Sequence, residues 1–318
     1  MAVIADADID SLNAQIDELY MEGRLKEVEA VLKEMMELIK SEDGEQMAYV
    51  NMLNRMGGYY REMHEFEKAE SVFLEAMKIC AEISGRDHPD YATTINNFAS
   101  LCRIMKKFAK SEKLFLEAMK IYEKTLGKQH FLYSSALNNL GLLYQDMGEF
   151  EKAAKLHEEA LEIVRKQEED KIIHATSLNN LASAYRALGR NEGTTALLKE
   201  AVDIYEEVMG KKHPLYASGL NNLGSHYLVM EQYEEAEPLL IESLEVLSDI
   251  FGTEHQHYLT AATNLGLLYE KMGQDRKAIQ YYNEVAQIYA KIHGKSHPQY
   301  ERSMYKIARL KQKTGHQL

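Results

Sequence analysis

The stretch that decides the fold is Tyr133–Gly148, which reads YSSALNNLGLLYQDMG. One stripe of residues, spaced by three and four as on a buried helix face, comprises Leu137, Leu140, Gly141 and Tyr144. A second stripe is mostly polar and comprises Ser135, Asn138, Asn139, Leu142 and Gln145. Gly148 stands where a helix commonly ends in a left-handed cap. The stretch therefore predicts an amphipathic helix with a separate polar face.

Close copies of this helix recur along the chain, at Tyr91, His174, Tyr216 and Tyr258. Each copy is followed by a partner helix, whose opening aromatic residue recurs every 42 residues at Phe66, Phe108 and Phe150. The series continues one residue early at Asn191, and then at Tyr233 and Asp275. A period in the range of about 20–50 residues is typical of a solenoid of stacked repeats. We therefore predict repeats made of helix A, a tight turn, helix B and a loop.

Small residues and loop residues recur with the same period. Glycines that are expected where helix A crosses helix B are Gly57, Gly141, Gly224 and Gly266. A glycine costs about 1 kcal/mol inside a helix, so its recurrence indicates close helix packing. The loops Gly85–Tyr91, Gly210–Tyr216 and Gly294–Tyr300 share the pattern Gly-x-x-His-Pro-x-Tyr. Glycine there is expected to close one helix and proline to open the next.

The composition excludes several classes of function. The chain has 318 residues, 45% of them hydrophobic, and a net charge of −13, so we expect no nucleic-acid binding. No apolar run approaches the roughly 20 residues of a membrane helix, and the first residues lack the features of a signal peptide. Two cysteines provide neither a disulfide framework nor a zinc motif. We expect a cytoplasmic protein without membrane insertion and without a cofactor or metal.

The repeat resembles the tetratricopeptide repeat (TPR). The matching positions in one copy are Leu140, Gly141, Tyr144, Ala153 and Ala160. The 42-residue period, the paired asparagines and the His-Pro-x-Tyr loops are similar to the kinesin-light-chain type of this repeat. The resemblance covers roughly residues 45–300 and concerns the repeats alone, since no heptad pattern of a coiled coil precedes them.

The resemblance implies an all-α, right-handed superhelical solenoid of about seven helix pairs and a C-terminal capping helix. We expect one domain over residues 1–318. Residues 1–44 form an N-terminal capping pair, residues 45–297 form six repeats, and residues 298–318 form the capping helix and a tail. The capping pair is predicted at Ile9–Glu22 and Leu25–Ile39. Cations on the last helix are interpreted as residues for solubility, and these are Arg302, Lys306, Arg309, Lys311 and Lys313.

The polar face of helix A is the candidate binding surface, expected on the concave side of the solenoid. The predicted peptide-binding residues are Arg55, Arg61, Asn96, Asn97, Arg103, Asn138, Asn139, Gln145, Asn179, Asn180, Arg186, Asn221 and Asn222. A carboxamide offers a donor and an acceptor to any peptide backbone, and arginine pairs with carboxylates. Since the arginines lie in the N-terminal two-thirds, we expect ligands with Asp or Glu near that end. The alternative is an asparagine ladder inside the scaffold, with the first asparagine of each pair the more structural.

Other reactive residue types are interpreted structurally. The loop histidines His88, His130, His213, His255 and His297 recur with the repeat and are expected to cap helices. Cys80 and Cys102 occupy positions that hold tyrosine in other repeats, which predicts buried packing rather than nucleophiles. No phosphate-binding loop, catalytic motif or paired-carboxylate site is found.

The sequence therefore predicts a non-catalytic scaffold or adaptor that captures a protein or peptide segment with acidic residues in its concave groove. Three alternatives remain open at this point. The chain is a peptide-responsive regulatory receptor, a self-associating scaffold that forms a homo-oligomer, or an accessory subunit that docks on an enzyme complex through its convex face.

Overall fold

The computed structural model describes residues 9, 11–16, 18–19, 24–40, 46–167, 171–191 and 193–315. All regular secondary structure within these residues is helical. The numbered helices are α1 (Leu25–Lys40), α2 (Gln46–Glu62), α3 (Phe66–Ile83), α4 (Pro89–Ile104), α5 (Phe108–Thr125), α6 (Phe131–Asp146), α7 (Phe150–Gln167), α8 (Lys171–Ala187), α9 (Thr194–Met209), α10 (Pro214–Val229), α11 (Tyr233–Phe251), α12 (Gln256–Lys271), α13 (Asp275–His293) and α14 (Pro298–Gly315). The predicted all-α class is confirmed.

The even-numbered helices from α2 to α12 are the A helices, and the odd-numbered helix after each is its B helix. The starts of α10, α12 and α14 are 42 residues apart, at Pro214, Gln256 and Pro298. The predicted period and the alternation of A and B helices are therefore confirmed. Of the predicted first helix, Ile9–Glu22, the described residues are 9, 11–16 and 18–19, and these are helical. The rest of that prediction lies outside the described residues.

The helices form two compact units, Met1–Asn191 and Glu192–Leu318. In unit 1 each A helix from α2 to α6 packs against its own B helix and against the A helix of the next repeat. In unit 2 the same arrangement joins α10, α11, α12 and α13, and α14 packs on α13. That the two units continue as a single solenoid across residue 191 stays a prediction.

The turn from helix A to helix B is a left-handed cap. Gly148 has a φ of 79°, and His64, Lys106 and Glu231 have φ values of 59°, 58° and 58° at the equivalent positions. The amide after each of these residues donates to a carbonyl five residues earlier, as from Glu149 to Tyr144 at 2.8 Å. This Schellman arrangement satisfies carbonyls at the end of the helix. The predicted cap at Gly148 is confirmed.

The loop from helix B to the next helix A ends in a histidine cap. Nδ1 of the histidine accepts from the backbone N–H two residues later at 3.1–3.3 Å, and the residues concerned are His88, His130, His213, His255 and His297. The cap supplies an acceptor for one of the otherwise unpaired donors of the first turn. The predicted capping role is confirmed.

The cap at His213 is expected to depend on pH. Burial lowers the pKa of His213 below its ordinary value of 6.5, and only the unprotonated Nδ1 accepts from the Leu215 N–H. The contribution is therefore present above pH 6.5 and is lost as the pH falls through the folded-state pKa. We expect His213→Ala to lower the free energy of unfolding by about 1 kcal/mol at pH 8, and by less at pH 5. Denaturant unfolding measures both differences, and His213→Asn, which retains an acceptor at every pH, is the control. An equal loss for both variants at pH 8 would contradict the cap.

The predicted helix crossings at glycine are confirmed. A Cβ added to Gly141 would lie 2.5 Å from Cε1 of His157, and one added to Gly266 would lie 2.7 Å from Cε1 of Tyr282. Gly57 and Gly224 meet Phe73 and Leu240 in the same way. In each of these four repeats, one side chain of the B helix therefore lies directly beneath the glycine of the A helix.

Candidate functional site

Asparagine side chains link successive A helices of unit 1. Nδ2 of Asn97 on α4 lies 3.5 Å from Oδ1 of Asn54 on α2, and Nδ2 of Asn139 on α6 lies 3.4 Å from Oδ1 of Asn96 on α4. In each link the second asparagine of a repeat donates to the first asparagine of the repeat before it. This ladder is the alternative that the sequence left open, and it gives each of these asparagines a contact within the scaffold.

Hydroxyl groups extend the ladder. Nδ2 of Asn54 donates to Oγ1 of Thr94 at 3.0 Å, and Nδ2 of Asn138 donates to Oγ of Ser177 at 2.7 Å. In unit 2, Nδ2 of Asn264 donates to Oδ1 of Asn221 and to Oγ of Ser225, both at 2.9 Å. The link between asparagines 43 residues apart therefore recurs in both units. The hydroxyl contact runs to the next A helix in unit 1 and to the preceding A helix in unit 2.

The two asparagines of a pair differ in burial. Asn96 and Asn138 are 8% and 6% exposed, whereas Asn97 and Asn139 are half-buried. In these two pairs the first asparagine is thus the more enclosed, as expected, whereas both members of the other two pairs are half-buried. Other predicted residues that are half-buried on their A helices are Arg61, Asn179, Asn180, Asn221 and Asn222.

Arg103 and Arg186 occupy the same position of helix A in unit 1, but they differ in whether the guanidinium is paired with a carboxylate. Nη1 of Arg103 lies 2.5 Å from Oδ2 of Asp146 on the next A helix, so its charge is paired inside the repeat array. Arg186 is half-buried, and its guanidinium has no hydrogen bond or ion pair within the described residues. Burial lowers the pKa of the Arg186 guanidinium. Arg55 stands apart from both: it occupies an asparagine position, is exposed, and donates to Oδ1 of Asn13 at 2.7 Å.

The side chain of Gln145 takes the arginine position in the third repeat, where it meets a buried histidine. Nε2 of Gln145 lies 2.9 Å from Nε2 of His157 on α7, and Nδ1 of His157 lies 2.9 Å from Oδ1 of Asn138. His157 is fully buried, and desolvation lowers its pKa to about 4. Sequence reasoning missed this residue. The available signal was that His157 interrupts a position held by Phe73, Phe115, Leu198 and Leu240 in other repeats.

A second polar cluster of this type lies in unit 2, around Tyr282 at the position equivalent to His157. Tyr282 donates from Oη to Oε2 of Glu270 at 2.8 Å, and it accepts from Nζ of Lys306 at 2.8 Å. Arg309 forms an ion pair with the same carboxylate, and Lys313 forms one with Asp275 at 3.1 Å. The interpretation of Lys306 as a solubility residue is therefore wrong, because its side chain is largely buried beside Glu270. Arg309 and Lys313 also pair with carboxylates, but their side chains are 52% and 55% exposed.

The other reactive residue types make structural contacts. Cys80 and Cys102 are buried, and burial raises the pKa of both thiols, to about 11 for Cys80. The rings of His255 and His257 lie 5.1 Å apart beside Phe251. Across the described ranges, no group of three or more His, Cys, Asp or Glu residues is arranged to hold a metal ion. No helix in this part of the chain has both the length and the apolarity to cross a membrane.

Comparison with known families identifies the repeat. A sequence profile described as "Tetratricopeptide repeat" matches residues 49–108, 92–166 and 215–291. A second profile with the same description matches residues 174–215. These ranges together cover more than half of the chain. No curated protein matches the chain.

Solved structures with the same fold include repeats of the kinesin-light-chain type. The nearly identical TPR-like repeats of a kinesin light chain from Podosopora anserina are 24% identical, with a TM-score of 0.54 over 65% of this chain and 98% of that chain. BtubC (BKLC) from P. vanneervenii is 25% identical, with a TM-score of 0.58 over 75% of this chain and 93% of that chain. A Rap protein complexed with Competence and Sporulation Factor is 15% identical, with a TM-score of 0.65 over 99% of this chain and 88% of that chain. The likenesses below 25% identity concern the fold alone.

Proposed function

This chain belongs to the tetratricopeptide-repeat family, and from that premise we propose that the A helices of unit 1 capture an extended peptide segment of a protein partner. Repeats of this family form protein-binding scaffolds. In this proposal the chain is itself non-catalytic and cytoplasmic, and the captured segment carries an acidic residue.

The observation that carries the proposal is the hydrogen-bonding capacity that the ladder leaves unused. Oδ1 of Asn97 and Oδ1 of Asn139 accept no hydrogen bond within the described residues, and the carboxamide of Asn180 makes none at all. These three residues occupy the same position on α4, α6 and α8. Since a carboxamide has two acceptor sites and two donor hydrogens, each residue retains capacity for the backbone of an extended ligand.

Arg186 supports the acidic part of the proposal. It lies on α8 two turns after Asn180, half-buried and without an ion-pair partner in the part of the chain that the structure describes. A desolvated cation gains more from a carboxylate than a solvated one does. Arg103 is less suited to this role, because a ligand carboxylate would compete with Asp146.

A likeness in fold supports capture of a ligand by such repeats. The Rap protein that resembles this chain was solved in complex with Competence and Sporulation Factor. The hydrogen-bonding capacity that the ladder leaves unused on α4, α6 and α8 makes the A-helix face the place where we expect an equivalent event.

The test begins with a displayed library of random 12-residue peptides, selected on the full chain. The dissociation constant of the most enriched peptide is then measured by fluorescence anisotropy. We expect Asn180→Ala to weaken binding about fivefold, the value of one lost hydrogen bond. Arg186→Gln is expected to weaken the binding of acidic peptides about tenfold. Neither side chain has a hydrogen-bond or ion-pair partner within the described residues, so both variants are expected to fold.

Lys155→Ala is the matched control, because Lys155 is exposed on the B helix α7 and has no hydrogen bond or ion pair within the described residues. Its dissociation constant should equal that of the wild type. Peptide binding that is unchanged in Asn180→Ala and Arg186→Gln but lost in Lys155→Ala would contradict a site on the A helices and place it on the exposed face of the B helix α7. A wild-type selection that enriches no peptide above the level without protein would contradict peptide capture.

A further inference from the structure

A cleft in unit 2 lies between α12, α13 and α14. Its volume is about 270 Å³. Buried side chains of Leu259, Tyr282 and Tyr289 form part of its lining, while Gln299 and Arg302 are exposed. The cleft therefore combines an enclosed, partly aromatic floor with a polar opening.

The charge of this cleft is opposite to that of the chain. Its lining includes Arg302 and Lys306 and contains no Asp or Glu, whereas the whole chain has a net charge of −13. Lys306 shares the nearby Glu270 carboxylate with Arg309. Arg302 has no hydrogen bond or ion pair within the described residues. The local balance leaves an unneutralised guanidinium at the opening.

Uncharged groups in the cleft also retain hydrogen-bonding capacity. Asn264 uses both amide hydrogens on Asn221 and Ser225, which leaves its Oδ1 as an acceptor. Gln256 accepts from Oη of Tyr289 at 3.1 Å through its Oε1, which leaves its Nε2 as a donor. The side-chain amide of Gln299 makes no hydrogen bond within the described residues. Two amide donors and a guanidinium thus surround the opening, together with one acceptor.

We propose that this cleft is a second recognition site, which receives a glutamate side chain of a peptide ligand and holds its carboxylate against Arg302. The aliphatic stem of the glutamate packs on Leu259 and Tyr289, and Nε2 of Gln256 and Gln299 donate to the carboxylate. Oδ1 of Asn264 accepts from a backbone N–H of the ligand. Desolvation lowers the pKa of Lys306, so its ammonium also gains from an added anion. The site rests on the proposed function and lies in the other unit from the face described there.

The direct test uses a defined probe, N-acetyl-glutamate N-methylamide, titrated into the full chain and followed by NMR of the side-chain amides of Gln256 and Gln299. The neutral counterpart, N-acetyl-glutamine N-methylamide, is titrated in parallel. We expect the glutamate probe to shift both amide signals and to bind about tenfold more tightly than the glutamine probe. We expect Arg302→Gln to abolish that preference, and Lys295→Gln to retain it, because Lys295 is an exposed cation outside the cleft.

Equal binding of the two probes, or a glutamate preference that survives in Arg302→Gln, would overturn the inference. Melting curves of Arg302→Gln verify the fold, which is expected to be intact because the side chain has no hydrogen bond or ion pair within the described residues. The outcome is independent of the peptide selection. Peptides that bind in an Asn180-dependent manner while the glutamate probe fails would overturn this site and leave the proposed function in place.

Discussion

Acidification from pH 7 to pH 4 is expected to remove roughly 3 kcal/mol of unfolding free energy through His157 alone. His157 is fully buried, and its pKa falls from an ordinary value of 6.5 to about 4. Desolvation is the cause, and no carboxylate contributes to the shift. The imidazole of His157 therefore stays neutral in the folded state down to about pH 4, whereas in the unfolded chain it takes up a proton below pH 6.5.

The hydrogen bonds around His157 explain why only the neutral ring fits. Asn138 donates through Nδ2 to Ser177, so its Oδ1 faces Nδ1 of His157, which must carry the proton. Gln145 accepts through Oε1 from Ser183, so its Nε2 donates to the unprotonated Nε2 of His157. A second proton on the ring would oppose the Gln145 amide hydrogens. This network removes the acceptor that an imidazolium would need.

The sign of the effect follows from the lowered pKa. The contribution of His157 is complete above pH 6.5 and is lost progressively as the pH falls toward 4. Urea unfolding of the wild type and of His157→Phe at pH 7, 5.5 and 4 measures it. Phenylalanine occupies this position as Phe73 and Phe115, which makes it the matched replacement.

At pH 7 the variant is expected to be less stable by about 1–3 kcal/mol, because Asn138 and Gln145 lose a buried partner. The free energies of unfolding of the two proteins should converge as the pH falls, because only the wild type is destabilised by the lowered pKa of a histidine at this position. A His157 ring that titrates near pH 6.5 by NMR, or equal pH dependence in both proteins, would contradict the prediction.

Much of the fold could be predicted because the same sequence pattern occurs in several copies along the chain. The period, the crossing glycines and the capping histidines are all read from positions that recur along the chain. A substitution in one repeat therefore leaves the pattern recognisable in the others. The side-chain partners of the polar face were not predictable in this way. Whether Asn97 meets Asn54 or solvent depends on the offset between neighbouring A helices, and a one-dimensional period does not specify that offset.

Residues that break the repeat were misinterpreted for the same reason. The role of His157 is not predictable from the repeat, because a single polar residue in a core position forms no pattern. The sequence does not reveal the ion pairs of Lys306 and Arg309, because the carboxylate they share, Glu270, lies more than thirty residues earlier. In both cases the structure supplies a side-chain partner that sequence spacing does not reveal.

The second large effect is expected at the helix crossing above His157. Gly141→Ala should lower the free energy of unfolding by a net of about 1–2 kcal/mol, because overpacking costs about 1–3 kcal/mol and the loss of hydrogen bonds places this site at the upper end. The new Cβ would lie 2.5 Å from Cε1 and 2.7 Å from Nε2 of His157. The ring is held by Asn138 and Gln145, so it moves only by giving up hydrogen bonds. The gain in helix propensity, about 1 kcal/mol, offsets only part of this cost.

Gly58→Ala is the matched control, because Gly58 lies inside α2 and a Cβ there would have no neighbour within 4 Å. The same substitution should therefore stabilise the protein by about 1 kcal/mol at that position. Urea unfolding at pH 7 compares the two variants with the wild type, and a stabilising Gly141→Ala would contradict the packing argument.

The cause of the clash is tested by a pair that the chain already contains. Ala182 occupies the crossing position in the repeat whose B-helix residue is Leu198, so alanine is compatible with leucine at these two positions. In a double-mutant cycle, Gly141→Ala should cost about 1–2 kcal/mol less in the background of His157→Leu than in the wild type. Additive effects would mean that the backbone of α7, rather than the clamped imidazole, excludes a side chain at Gly141. A favourable coupling would instead identify His157 as the reason that this repeat keeps a glycine where two others carry alanine.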